Sequence, residues 1–223
     1  IVNEAREIGW HKVVYYERPM LKKTRQFYAG QYGIAIDSKE MPQHHLNQFG
    51  IKIDDYVTHH DSHASAGYFT SGFKDAVILT VDAIGEWETI SISKGYNQKA
   101  IERMEQVRYP NSIGILYSAF TQRCGLKPAE EEYILMGMSA YGTPKYKDDI
   151  YRDFVVRNPF KLKRNVHKGI GNWHPEADVM DLAASIQAVT EECLSDLWQR
   201  ASRYAGFGNR NLVYAGGVAL NCA

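Results

Sequence analysis

Three histidines stand within five residues at His59, His60 and His63, in the stretch His59-His60-Asp61-Ser62-His63-Ala64-Ser65-Ala66-Gly67. In a helix, residues four apart share a face, so His59 and His63 could offer two imidazoles to one divalent ion while His60 points elsewhere. The same spacing also fits a plain surface or core pair. A second candidate is Asp82, which follows the apolar run Ala76-Val77-Ile78-Leu79-Thr80-Val81 and precedes Gly85. Open α/β sheets place ligand-binding groups just beyond the carboxyl ends of their strands. An aspartate there can hold a metal or a metal-held phosphate, and it can equally stabilise its own turn. Together with His59 and His63 it would give two nitrogens and one oxygen, a set suited to iron or zinc with open positions.

Two further stretches carry weaker signals. In Ala215-Gly216-Gly217-Val218-Ala219-Leu220-Asn221, paired glycines after a strand and before a helix let backbone N–H groups approach a phosphate. A structural turn explains them as well. In Glu130-Glu131-Glu132-Tyr133-Ile134-Leu135-Met136-Gly137-Met138-Ser139-Ala140-Tyr141-Gly142, the acids at the start complement a helix dipole. Gly137 inside that helix costs about 1 kcal/mol relative to alanine. That cost points to close approach by another backbone or a ligand.

The elements that must position these residues can be read from periodicity. Val13 to Tyr16 and Ile51 to Thr58 read as strands, Met20 to Tyr32 as a helix, and residues 60–69 as the helix that carries the histidines. Ala76 to Val81 reads as a fully buried strand. Glu88 to Lys94 and Ile101 to Val107 follow it as a meander. Helices are expected at Ile113 to Gly125, Glu130 to Tyr141 and Asp178 to Tyr204, the last with Leu182, Ile186, Val189, Cys193 and Leu197 at helical spacing. Asn211 to Tyr214 reads as a strand, whereas 145–175 gives no clear pattern. This α/β order fits a ribonuclease-H-like unit, half of the actin/hexokinase-type fold. The expected division is 1–70, a first subdomain carrying the histidine helix, and 71–223, a second ribonuclease-H-like subdomain.

Bulk properties narrow the function classes. The 223 residues are 44% apolar, enough for a sizeable core, and 26 basic residues balance 26 acidic ones. Without a basic run, neither a nucleic-acid partner nor an anionic membrane is expected. No apolar stretch approaches the roughly 18 residues of a membrane span. Cys124, Cys193 and Cys222 form no CxxC pair, which suggests reduced thiols and a cytoplasmic setting. The chain opens on Ile1 with a helix-like pattern and closes on Asn221-Cys222-Ala223 just after a strand and turn. An internal fragment of a longer protein is therefore expected.

The order of the motifs carries more than any one of them. HHDSHASAG (59–67), VDAIGEW (81–87), PNSIGILYSAF (110–120), EEYILMGMSAYG (131–142) and AGGVALNC (215–222) resemble, in that sequence, the nodulation-protein-U / tobramycin-type carbamoyltransferase family. YYERPMLK (15–22) resembles the family's early segment. The resemblance implies an actin-like (ASKHA) fold, here incomplete, akin to the tRNA threonylcarbamoyl-transfer proteins. It implies an O-carbamoyltransferase in which carbamoyl phosphate and ATP, with Mg, give carbamoyladenylate, and this domain passes the carbamoyl group to a hydroxyl of a small-molecule or oligosaccharide acceptor. The adenylate-forming domain would lie C-terminal to this stretch. Carried over, His59, His63 and Asp82 would bind a divalent metal, iron or alternatively zinc, with His59 and Asp82 serving catalysis. Gly216, Gly217 and Asn221 would hold the nucleotide, and Glu132 and Gly137 would line its pocket. Ala83 stands where much of the family has glycine, and Ile134 where many members have lysine. Two rivals are a tRNA threonylcarbamoyl-transfer relative and a non-catalytic ASKHA nucleotide-binding module. VDAIGEW and EEYILMGM favour the carbamoyl family over the first.

Overall fold

The computed structural model describes residues 12–206 and 210–222; the helix-like pattern at the chain start lies outside them. The fold is mixed α/β. The chain divides into two units, one of residues 1–62 with 85–87, the other of 63–84 with 88–223.

In the first unit, strand β1 (Val14–Tyr15) pairs in parallel with β2 (Asp55–Tyr56). Between them come helices α1 (Pro19–Tyr28), α2 (Tyr32–Ile36) and α3 (Pro42–Asn47). Pro19 opens α1, where its missing N–H costs nothing and its fixed φ already suits a helix. Two expectations change here. The expected helix from Met20 to Tyr32 is split, with Gly30 at φ 78° between α1 and α2. The strand expected over Ile51 to Thr58 shrinks to two residues, because its partner β1 offers only two.

Helix α4 (His59–Thr70) continues the chain from the first unit into the second. The second unit is built on a four-stranded sheet of β3 (Ala76–Val81), β4 (Glu88–Tyr96), β5 (Ala100–Arg108) and β8 (Leu212–Ala215), in the order β5-β4-β3-β8. The meander β3-β4-β5 is antiparallel, and β8 adds in parallel to β3, Val77 facing Leu212 and Thr80 facing Ala215. Every residue of β3 is buried, as its unbroken apolar run requires. Strand β5 alternates exposed and half-buried residues, and its charged side chains guard an edge.

Three helices follow the meander: α5 (Ile113–Arg123), α6 (Glu132–Ser139) and α7 (Lys147–Asp153). The unpatterned region resolves into α7 and a small hairpin, β6 (Val155–Val156) with β7 (Lys161–Leu162). Helix α8 (Val179–Ser202) is capped by Asp178, whose carboxylate accepts from the Met180 N–H at 2.7 Å. The expected stripe Leu182, Ile186, Val189, Cys193 and Leu197 is buried throughout. Among the described residues, no helix is long and apolar enough to cross a membrane.

Candidate functional site

The small residues of the histidine stretch have a packing reason. A Cβ on Gly67 would lie 2.7 Å from Val213 Cγ1, so α4 sits against β8 as only glycine allows. Ala64 and Tyr68 are fully buried with Ala76, Ile78 and Val213. The Tyr68 ring covers Gly95 of β4, where a Cβ would come within 2.3 Å of it. The Tyr68 hydroxyl donates to the Lys74 carbonyl at 2.6 Å and accepts from the Gln98 N–H at 2.9 Å. These contacts fix the helix that presents His63.

Asp82 leaves the end of β3, with its N–H bonded to the Thr89 carbonyl at 2.9 Å. Its Oδ1 accepts from the Ala83 N–H at 2.7 Å, and its Oδ2 lies 3.3 Å from His63 Nε2. One oxygen of this aspartate therefore serves its own turn, and the other faces the imidazole. The turn is clamped by the start of α5. Ser112 Oγ lies 2.6 Å from the Ala83 carbonyl and 3.2 Å from that of Asp82, and it caps α5 by accepting the Ile115 N–H at 3.0 Å. Gly114 completes the clamp, because a Cβ there would lie 2.6 Å from Ala83 Cα. Sequence reasoning missed Ser112 as a site residue. Its signal was present, a serine directly before the apolar run of a helix.

His59 and His63 lie one turn apart on the continuous helix α4. Within the second unit, His63 and Asp82 each offer one ligand atom, an imidazole nitrogen and a carboxylate oxygen. Two donors roughly 2.1 Å from a common ion and about 90–110° apart lie roughly 3.0–3.4 Å from each other. The 3.3 Å between His63 Nε2 and Asp82 Oδ2 fits that geometry, and two imidazoles with one carboxylate fit iron or zinc.

Asp82 also lines a cavity of about 380 Å³, together with Glu132, Gly217, Asn221, Tyr117 and Tyr133. Burial pushes the Tyr117 phenol well above its ordinary value, so it stays protonated. Its hydroxyl donates to Gln187 Oε1 at 2.9 Å. Glu132 Oε1 accepts from Ser118 Oγ at 2.5 Å and from the Ala129 N–H at 2.6 Å. The two glycines of the turn have separate tasks. Gly216 has φ 98°, and a Cβ on it would lie 2.3 Å from the Val81 carbonyl oxygen, so it lets the ends of β8 and β3 meet. Gly217 faces the cavity, where a Cβ would lie 2.8 Å from Asp82 Oδ1. The segment after them is a short 3₁₀ turn, Gly217–Leu220.

Gly137 is a correction. It is exposed, it does not line the cavity, and among the described residues nothing lies within 4 Å of a Cβ built on it. Close approach falls instead on Gly142, where a Cβ would sit 2.0 Å from the Met180 carbonyl oxygen in the first turn of α8. The acidic and apolar pattern of the helix could not show which of its glycines meets a neighbour. Two of the three cysteines are held as protonated thiols. Cys193 is buried, with its thiol pushed up to about 12 by burial, and Cys124, half-buried, is pushed up to about 11 by the same cause.

Residues 32–223 match the family described as the carbamoyltransferase N-terminus. The chain belongs to this family. Among its relatives is the uncharacterized protein sll1178 of Synechocystis sp., 37% identical over 187 residues, a match covering 74% of this chain and 30% of that protein. The nodulation protein NolNO of Sinorhizobium fredii is 28% identical over 85% of this chain and 30% of its own length. The nodulation protein NolO of Bradyrhizobium diazoefficiens is 26% identical over 74% of this chain and 32% of its own. The chain thus spans about a third of the length of these relatives. The matched span of this carbamoyltransferase N-terminal chain contains the histidine helix, Asp82 and the whole cavity lining.

Proposed function

We propose that this chain is the carbamoyl-transferring part of a metal-dependent O-carbamoyltransferase, and that its cavity binds carbamoyladenylate. Asp82 carries the reading, because one carboxylate both faces His63 at 3.3 Å and lines the cavity. A substrate held in the cavity would therefore reach the metal-ligand set directly. The sheet order β5-β4-β3-β8, an antiparallel meander with a parallel fourth strand, supports a ribonuclease-H-like half of an ASKHA fold.

In this reading Tyr117, Tyr133 and Met136 form walls for the nucleotide, while Gly217 leaves room beside Asp82 and Asn221 offers its carboxamide. His59, His63 and Asp82 would hold the ion. Bound there, iron or zinc would act as a Lewis acid on carbamoyl or phosphate oxygens. The acceptor hydroxyl oxygen bonds to the carbamoyl carbon, AMP leaves with the electron pair, and the hydroxyl proton passes to a base. Carbamoyl phosphate, ATP and Mg would supply the adenylate in a domain outside this chain.

The test uses the full-length protein with ATP and carbamoyl phosphate, first without acceptor. Carbamoyladenylate and pyrophosphate detected by mass spectrometry, dependent on carbamoyl phosphate, are the expected result. Folded, metal-loaded protein that forms neither would overturn the reading, and activity that requires tRNA would move it to the threonylcarbamoyl relatives.

A further inference from the structure

The loop after Asp82 holds a carboxylate that the proposed chemistry does not use. Glu86 is only 3% exposed. An ionised side chain is buried at that depth only where hydrogen bonds replace its water. Its Oε1 accepts from the Arg18 N–H at 2.7 Å. Both of its oxygens lie 3.1 Å from the His59 N–H. Next to it, Gly85 presses on the same histidine, since a Cβ there would lie 2.9 Å from His59 Cβ and 3.1 Å from the imidazole.

His59 is the first residue of α4, where a helix leaves its N–H groups without internal partners and tends to fray. Two further N–H groups of the first turn are met from within the helix start. Thr58 Oγ1 accepts from the Asp61 N–H at 3.2 Å, and the Thr58 carbonyl accepts from the Ser62 N–H at 2.9 Å. The His59 N–H is met from outside, by a carboxylate whose charge the helix dipole also favours. His63, one turn inward, is secured by packing. His59 depends on its terminus being held.

We propose that Glu86 is a positioning residue for His59: it anchors the first turn of α4 by its backbone, and Gly85 sets the imidazole from the side. Glu86 touches neither metal nor substrate in this scheme. The inference rests on the metal-centre reading above. It places a second function on the VDAIGEW loop, which supplies one ligand through Asp82 and orients another through Gly85 and Glu86.

The experiment measures Zn²⁺ affinity of the full-length protein by competition with a chromophoric chelator, in wild type, Glu86→Ala, His59→Ala and the double variant. Outer-shell changes typically weaken a metal site about 10- to 100-fold, and a loss in that range is expected for Glu86→Ala. In the His59→Ala background the same substitution should cost nothing further, because its route to the metal is gone. A Glu86→Ala loss that persists in full without His59, or no loss at all, overturns the proposal. Wild-type protein that binds no Zn²⁺ overturns the centre itself and this inference with it. Should Glu86→Ala not fold, Glu86→Gln enters the same cycle. Its carbonyl oxygen can take the place of Oε1, so a smaller loss, again absent without His59, is expected, and an equal loss in both backgrounds overturns the proposal.

Discussion

The carboxamides of Asn221 and Gln187 face each other in two reciprocal hydrogen bonds, each 2.9 Å long. Asn221 belongs to the glycine turn and lines the cavity, whereas Gln187 is a buried residue in the middle of α8. Gln187 also accepts from the Tyr117 hydroxyl and donates to Glu191 Oε1. One buried amide thus ties two cavity walls to the longest helix.

Gln187→Leu keeps roughly the shape of the side chain and removes every one of these bonds. Buried polar partners left without a mate cost about 1–3 kcal/mol, so the urea midpoint should fall by a corresponding amount. With Asn221 released, binding of a non-hydrolysable ATP analogue should weaken about tenfold, close to 1.4 kcal/mol. Calorimetric titration of the full-length variant reads that number. Unchanged binding in a destabilised protein would leave Gln187 a core residue only.

The two glycines of the α6 segment should respond in opposite directions. At Gly137 an added methyl group meets open space in a helix, so Gly137→Ala should stabilise by about 0.5–1 kcal/mol. For a domain of this size that raises Tm by about 1–4 °C. Gly142→Ala drives a Cβ into the Met180 carbonyl, and overpacking against backbone should cost about 1–3 kcal/mol. Thermal unfolding of the pair checks both signs. A destabilising Gly137→Ala would mean that something does approach that residue.

His63→Ala removes the imidazole that faces Asp82. Zn²⁺ affinity should fall by more than the roughly 100-fold typical of outer-shell changes, while the fold survives, since α4 is held by Gly67, Ala64 and Tyr68. Circular dichroism and the chelator competition separate the two effects. Tight one-to-one Zn²⁺ binding retained by this variant would contradict the ligand assignment.

Asp181 supplies a pH dependence. The Lys145 ammonium, 2.5 Å from Oδ2, and the Thr143 N–H, 2.8 Å from Oδ1, hold its carboxyl below the ordinary range. With the folded-state value depressed, the unfolded chain takes up the proton first as the pH falls. The stabilisation is complete above the usual carboxylate pKa of about 4 and is lost as the pH drops below it. Asp181→Asn should lower Tm at pH 7 and narrow the gap to wild type at pH 3. A gap that is the same at both values would show that the charge contributes nothing.

How much of this was legible depended on what kind of force set each feature. Ala76 to Val81 could be read directly, because a strand buried on both faces needs an unbroken apolar run. The stripe on α8 was equally plain. The interval between His59 and His63 placed them on one helical face, and the strand end before Asp82 marked it as a candidate ligand position. Ile51 to Thr58 misled, since alternation shows what a strand would bury and not how long its partner is. Pro42–Asn47 escaped notice as a helix because PQHHLN is polar and shorter than two turns. At the site, Gly137 and Gly142 looked alike, and so did Glu86 beside Asp82. Their roles depend on which distant backbone arrives next to them, and Met180, Arg18 and His59 are not their neighbours in the chain.

The parallel seam between β3 and β8 bears on how the site comes into being. The meander β3-β4-β5 needs only neighbouring segments, joined by short turns, and such local pairings form early. Val77 finds Leu212 only after all the intervening helices have been threaded, and closing so long a loop carries an entropic cost that local hairpins avoid. Asp82 therefore sits at the end of a strand whose second neighbour joins late, and Gly217 and Asn221 reach the cavity only when that seam closes. During synthesis the histidine helix and the aspartate leave the ribosome well before the turn that completes their pocket. A chain in the act of being made would carry its candidate metal ligands long before the cavity beside them could close.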